Sequence, residues 1–218
     1  MTASPIIFSA PMVRAIIDGR KTQTRRFPSI RGHRSISEFG RSTTDGYDWT
    51  FRDAHKRWHD LGHDDLMRRL RRQVGDRLWV RENFALGFDL DDHDMPIGDE
   101  PKPFFASTYD GRMWLDRDTD EWRDEPRWTP SIHMPRWASR LTLVVTGVKV
   151  ERLNDISEEN ARAEGWPGPE TVLGYPIIEP RKWFAGLWDA LHGPGSWFAN
   201  PWIVAVSFVT HMRNIDHE

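Results

Sequence analysis

Residues 19–26 read GRKTQTRR, which packs four cations and two hydroxyls into eight positions. The preceding stretch, SAPMVRAIIDG, is a short helix: Ser9 is a capping residue, Met12, Ala15 and Ile16 share one face, and Gly19 stands where helices stop in a left-handed conformation. The basic stretch therefore follows a helix end and begins a strand. A solvated basic loop is the plain alternative, and the rest of the chain has to decide between them.

At 218 residues the chain can bury a substantial core without staples. The absence of cysteine excludes disulfides, thiolate metal sites and a cysteine nucleophile, and fits a reducing cytosol, so a cytoplasmic protein is expected. The N-terminus has no signal-peptide pattern, and no apolar stretch approaches the roughly 18 residues of a membrane span. The net charge of −3 conceals a polarity. Arg14 to Arg81 carries 17 Lys/Arg against 9 Asp/Glu, whereas Glu82 to Glu125 carries 4 against 14. The first block suits a phosphate backbone and the second steers phosphates away. Twelve tryptophans add indole faces that pack cores or stack on bases.

Along the chain, short elements alternate without an internal repeat. Residues 28–50 read as loop, and FRDAHKRWHDLGHDDLMRRLRRQ as a polar helix. VGDRLWVRENF reads as a turn and a strand with Leu78, Val80 and Glu82 on one face. Gly87 to Pro103 is acidic and loop-like, and FFASTYDGRMWL predicts a hairpin turning at Asp110 and Gly111. RLTLVVTGVKVERL is a strand or a bulged strand pair, with Gly147 allowing the bend. ISEENARAEG is a helix capped by Ser157 and closed by Gly165. PRKWFAGLWDALHG is an amphipathic helix with Trp183, Leu187, Trp188 and Leu191 along a stripe, and NPWIVAVSFV is a buried closing strand. Strands separated by short helices without regular βαβ alternation predict an α+β domain on a small mixed or antiparallel barrel.

That order of elements, with GRKTQTRR at the first helix-to-strand corner, resembles the ASCH domain family of PUA-like β-barrels. GDRLWVRENF, PSIHMPRWASRLTLVVTGVKVERL with DISEENARAEG, and NPWIVAVSF are similar to stretches of its larger phage and prophage members. The resemblance spans most of one domain over residues 1–218, leaving 28–73 and 86–128 as insertions. It implies a cleft for nucleobases, used for RNA binding or for chemistry on nucleosides, including amide hydrolysis of N4-acetylcytidine without a cofactor. The Gly-x-Lys-Thr-x-Thr pattern carries the family enzyme's lysine and threonine onto Lys21 and Thr24, and helix spacing carries its glutamate onto Glu164.

The chemistry is readable beside the resemblance. A partly desolvated lysine with Arg20, Arg25 and Arg26 as neighbours can lose its proton near neutral pH and act as a base, with Thr24 as its nucleophile. Strand alternation puts Lys21 and Thr24 on opposite faces, so their pairing requires Lys21 at the corner and not inside the strand. Glu164, at a helix C-terminal end, suits a proton donor or is a solvated helix residue. Glu82 points inward and needs a partner such as Arg140, either in the cleft or as a structural ion pair. Ser131, His133, Arg136 and Arg140 are polar groups in an aromatic neighbourhood and, with Arg20, Arg25, Arg26 and Arg81, are candidate ligand contacts. His133 is either a satisfied core histidine or a base or phosphate contact. Trp79, Trp128 and Trp137 either stack on a base or pack the core. His55, His59 and His63 recur at helical spacing on one predicted helix face, yet the stretch lacks a metalloprotease glutamate, so no metal is expected. The expected ligand is a modified nucleoside or single-stranded RNA. The alternatives are a non-catalytic RNA- or DNA-binding module and a metal-dependent nuclease; the oligomeric state stays open.

Overall fold

The computed structural model describes residues 2–93, 95–111, 114–116, 121–169 and 179–217. Its contacts divide the chain into two compact units, one of residues 1–2, 19–76 and 144–209, the other of 3–18, 77–143 and 210–218. The class is α+β, strands predominating, with small sheets of parallel and antiparallel pairing as expected of a barrel-like α+β fold.

In the first unit, β2 (Gln23–Arg26) runs antiparallel to β12 (Trp202–His211), with Thr24 opposite Val206 and Arg25 opposite Ala205. On the other side of β12 lies β11 (Thr142–Arg152), one continuous strand through Gly147 and not a bulged pair. α3 (Glu158–Ala163) begins at Ser157, whose hydroxyl accepts from the Asn160 N–H at 3.1 Å. α4 (Pro180–His192) has proline in its first turn and ends at Gly193, whose φ of +100° only glycine adopts without strain. Phe184 and Trp188 of α4 bury against Leu153, Ile156, Ala161 and Ile203, with Trp183 and Leu187 packed at the edge. Leu191, expected on the same stripe, is exposed.

The first expected insertion, 28–73, differs from its reading as loop and long helix. It holds the antiparallel sheet β3 (Ile36–Arg41), β4 (Trp49–Asp53) and β5 (Trp58–Leu61), followed by α2 (His63–Arg69). Trp49, Phe51 and Asp53 alternate inward along β4, the period of a strand, and the chain reverses where Lys56 takes a left-handed φ of 62°. His55 is thus in a turn, His59 in β5 and His63 at the start of α2, so the three histidines share no helix face.

In the second unit β1 (Ala3–Ile7) pairs in parallel with β6 (Arg77–Arg81), and α1 (Ala10–Ile17) follows β1. Ser9 begins α1 by backbone geometry, without a side-chain cap hydrogen bond. Of residues 87–103, expected as loop, those described belong to a long hairpin of β7 (Phe84–Leu90) and β8 (Pro96–Phe105). Its acidic residues concentrate away from the end anchored by buried Phe84 and Ala85, so backbone pairing prevails over a loop-like composition. The hairpin expected at Asp110–Gly111 is re-partnered: β8 pairs with β7, and β9 (Trp114–Asp116) pairs with β10 (Glu121–Arg123). Arg112 and Met113 of that expected turn lie outside the described residues. Among the described residues no helix is long and apolar enough to cross a membrane.

Candidate functional site

The corner at GRKTQTRR forms as the sequence predicts. The Asp18 N–H donates to the Arg14 carbonyl at 2.9 Å, closing α1, and Gly19 turns the chain at φ +73°. Lys21 then makes an isolated antiparallel bridge to Glu164, and the Thr22 N–H donates to the Ala163 carbonyl at 2.8 Å. Lys21 therefore sits at the corner ahead of β2, stitched to the end of α3. The Arg20 guanidinium donates to the Gly165 carbonyl at 3.0 Å and secures the same junction.

Two cations converge on one carboxylate there. Lys21 Nζ donates to Glu164 Oε2 at 2.7 Å and to the Glu164 carbonyl at 2.9 Å. Arg25 Nη1 donates to Glu164 Oε1 at 3.1 Å, while its Nη2 donates to Glu151 Oε1 at 2.9 Å. Lys149 Nζ lies 2.7 Å from Glu151 Oε2 at the outer edge. Gln23 extends the network, accepting from Arg25 at 3.1 Å and donating to Asn160 at 3.2 Å and Ser207 at 3.0 Å. Lys21, Arg25, Glu151 and Glu164 are each no more than 4% exposed. Removing such charges from water costs several kcal/mol per ion, so each must find a counter-charge and hydrogen bonds, as these do. Burial pushes the Lys21 pKa below the ordinary lysine range, against the raising pull of the Glu164 carboxylate and with smaller contributions from the Arg26 and Arg25 charges. A lysine so buried gives up its proton more readily than one in water.

Thr24 is 4% exposed, and the alternation of β2 turns its side chain to the face opposite Gln23 and Arg25. Arg26, at the end of β2, is exposed.

The remaining candidates belong to the second unit. Glu82 is buried, and both its oxygens are held by Arg140, Nε to Oε1 at 3.0 Å and Nη2 to Oε2 at 3.2 Å. The Ser107 hydroxyl also donates to Glu82 Oε2, and Arg140 lies 3.9 Å from the Phe105 ring centre. Trp79 is buried with the Arg81 guanidinium over its ring at 4.5 Å, and Arg81 donates to the Ile132 carbonyl at 3.1 Å. The Ser131 N–H donates to Asn83 at 3.0 Å. His133 is exposed, as is Trp137, and Arg136 is engaged by Asp216 through one guanidinium edge, Nε donating to Oδ2 and Nη2 to Oδ1. Trp128 packs edge-on against Tyr109. The thirteen sequence-predicted positions thus divide between the two units, Arg20, Lys21, Thr24, Arg25, Arg26 and Glu164 in the first and the remaining seven in the second.

Sequence reasoning missed Glu151 and Ser107. A single glutamate in the β-branched run VKVER was the available signal for Glu151, since an acid at a buried strand position needs a cation. For Ser107 no local signal exists.

No family model and no solved structure matches the chain. The chain is similar to a tyrosine–tRNA ligase of Shigella flexneri serotype 5b (strain 8401), 28% identical over 155 residues. The match covers 66% of this chain and 33% of that ligase, so the chain spans about a third of the length of the relative it matches. These comparisons show no ASCH domain, and that expectation rests on the motif resemblance alone.

Proposed function

We propose that the chain, as an ASCH-like domain with insertions at 28–73 and 86–128, recognises a nucleobase and hydrolyses an amide on it, an N4-acylated cytidine being the substrate class the resemblance implies. The observation that carries this reading is the buried Lys21–Glu164 pair at 2.7 Å, at the corner of the Gly-x-Lys-Thr-x-Thr motif. In the proposed reaction the Thr24 hydroxyl attacks the acyl carbonyl and its proton passes to the Lys21 amine. The tetrahedral intermediate collapses as Lys21 hands that proton to Glu164 and Glu164 delivers it to the leaving nitrogen, the C–N bond breaks and cytidine departs. Water attacks the resulting ester with the same pair moving its proton, and releases the carboxylic acid and the free threonine. Arg25, clamped between Glu151 and Glu164, is a positioning residue for the acid. Exposed Arg26 and the surface side of Arg20 are suited to contact the ligand. Because Thr24 lies across β2 from Arg25, a water activated by Lys21 is the competing nucleophile.

The test is release of cytidine from N4-acetylcytidine by wild type, Lys21→Met and Thr24→Val, each with an unchanged melting transition. Loss of a base or nucleophile is expected to lower turnover by about 10²–10⁴-fold. Turnover retained in Thr24→Val but lost in Lys21→Met transfers the attack to water. Wild type without turnover on any N4-acyl nucleoside refutes the amidohydrolase reading. A second reading, a non-catalytic RNA-binding module, is favoured by the similarity to a ligase whose name places tRNA among its substrates.

A further inference from the structure

We propose that His33, Asp53 and His59 form a site for a divalent first-row transition ion, Zn²⁺ foremost, in the segment 28–73. Their ligand atoms all lie within 4.8 Å of one another, and Asp53 Oδ2 is 2.9 Å from His59 Nε2. Three protein ligands of two imidazoles and one carboxylate, with a fourth position left to water, is a donor set that Zn²⁺ accepts at bond lengths of about 2.0–2.2 Å. Two such bonds at the tetrahedral angle separate ligand atoms by somewhat more than 3 Å, so side-chain rotations suffice to close the site.

The chain builds this arrangement from two separate segments. His33 leaves the turn after β2, where its N–H donates to the Ile30 carbonyl at 3.1 Å, while Asp53 ends β4 and His59 lies on β5. Phe51, buried and stacked on His59 at 4.7 Å, forms an apolar wall, and His33 sets its ring edge-on to both at 4.9 Å. Apolar packing and ring contacts thus hold both imidazoles beside the carboxylate. The carboxylate is aimed by its other partners: Asp53 Oδ1 accepts from the His55 and Arg57 N–H groups at 2.9 and 3.0 Å. Partners of this outer kind orient a ligand before the ion arrives. One contact opposes the ion, the Arg57 guanidinium at 2.9 Å from Asp53 Oδ2. That side chain is 67% exposed and can swing into water, so its charge does not close the site. The ion takes the neutral His59 imidazole through the Nε2 lone pair, in the tautomer whose single proton sits on Nδ1.

The probes are Zn²⁺ by calorimetric titration and Co²⁺ by visible absorption, on the full chain after dialysis against chelator. Saturable one-to-one uptake is expected, with a raised melting temperature and a Co²⁺ spectrum of low coordination number. His33→Gln and His59→Gln are expected to weaken uptake by about 10–100-fold or more, at least as much as losing an outer-shell partner. His63→Gln and His55→Gln, which leave the three ligands intact, are expected to bind as wild type. If a ligand variant misfolds, His33→Gln decides alone, because His33 makes no strand pairing. Absent saturable uptake, or uptake unchanged in both ligand variants, overturns the proposal. Because the readout is metal binding and not cytidine release, its failure leaves the amidohydrolase reading standing.

Discussion

Arg25 holds two buried carboxylates at once, and that fixes what its removal does. With the guanidinium gone, Glu151 keeps Lys149 at the surface and Glu164 keeps Lys21 and the more distant Arg26 charge, so each carboxylate loses a direct ion pair. Arg25→Met is expected to cost about 3–5 kcal/mol in urea unfolding, the scale of breaking a buried pair. Lys149→Met, whose side chain is 69% exposed, is expected to fall within about 0–1 kcal/mol. Arg25→Lys cannot rescue, because one ammonium cannot span both carboxylates as the planar fork does. Lys21 adds a pH dependence. Its folded pKa is lowered by burial, so between that value and the ordinary lysine pKa the unfolded chain binds more protons and stability rises with pH. The stability of wild type relative to Lys21→Met is therefore expected to increase across the alkaline range, as followed by unfolding at stepped pH. A relative stability that declines there contradicts the burial argument.

Short elements carry the site, and their ends matter more than their lengths. α3 has six residues, too few to persist alone, yet it delivers Glu164 to the Lys21 corner. Its N-terminal support is the Ser157 hydroxyl on the Asn160 N–H. Ser157→Ala is expected to cost about 0.5–2 kcal/mol in the unfolding transition. Ser157→Asn, which preserves a capping oxygen, is expected to stay near wild type. The β7 strand offers a contrast in the other unit, where a Cβ added at Gly87 falls on the Trp114 indole. Nothing local in ALGFDL announces that contact.

At the scale of the whole chain, charge divides between the two compact units. The first carries 19 Lys/Arg against 16 Asp/Glu, the second 11 against 17. If RNA is the ligand, its phosphates meet the first unit, and the log–log slope of affinity against salt is expected near −0.7 per phosphate neutralised on a single strand. Binding of short single-stranded RNA across a salt series measures this, and a free-nucleoside enzyme gives a flat response. A flat response together with cytidine release establishes the first reading over the second.

What the sequence determined by itself was local. The helix ending at Gly19, the basic corner, the cap at Ser157 and the closing strand all follow from neighbours a few residues apart, which propensity and period capture. The segment 51–73 shows the limit. Its charges suggested a helix, while the alternation of Trp49, Phe51 and Asp53 and the Asp53 turn were the readable strand signals, outvoted by composition. Tertiary structure alone decided that Arg25 is shared between Glu164 and Glu151 and that His33 joins Asp53 and His59, and it supplied the contact, across 143 residues, between Lys21 and the Glu164 that the resemblance sets beside it. Such pairings depend on which strands and helix ends become neighbours in space. The free energy that selects them is the burial of charges needing counter-charges and of rings needing walls, a demand that each residue carries in the sequence without naming the partner that meets it.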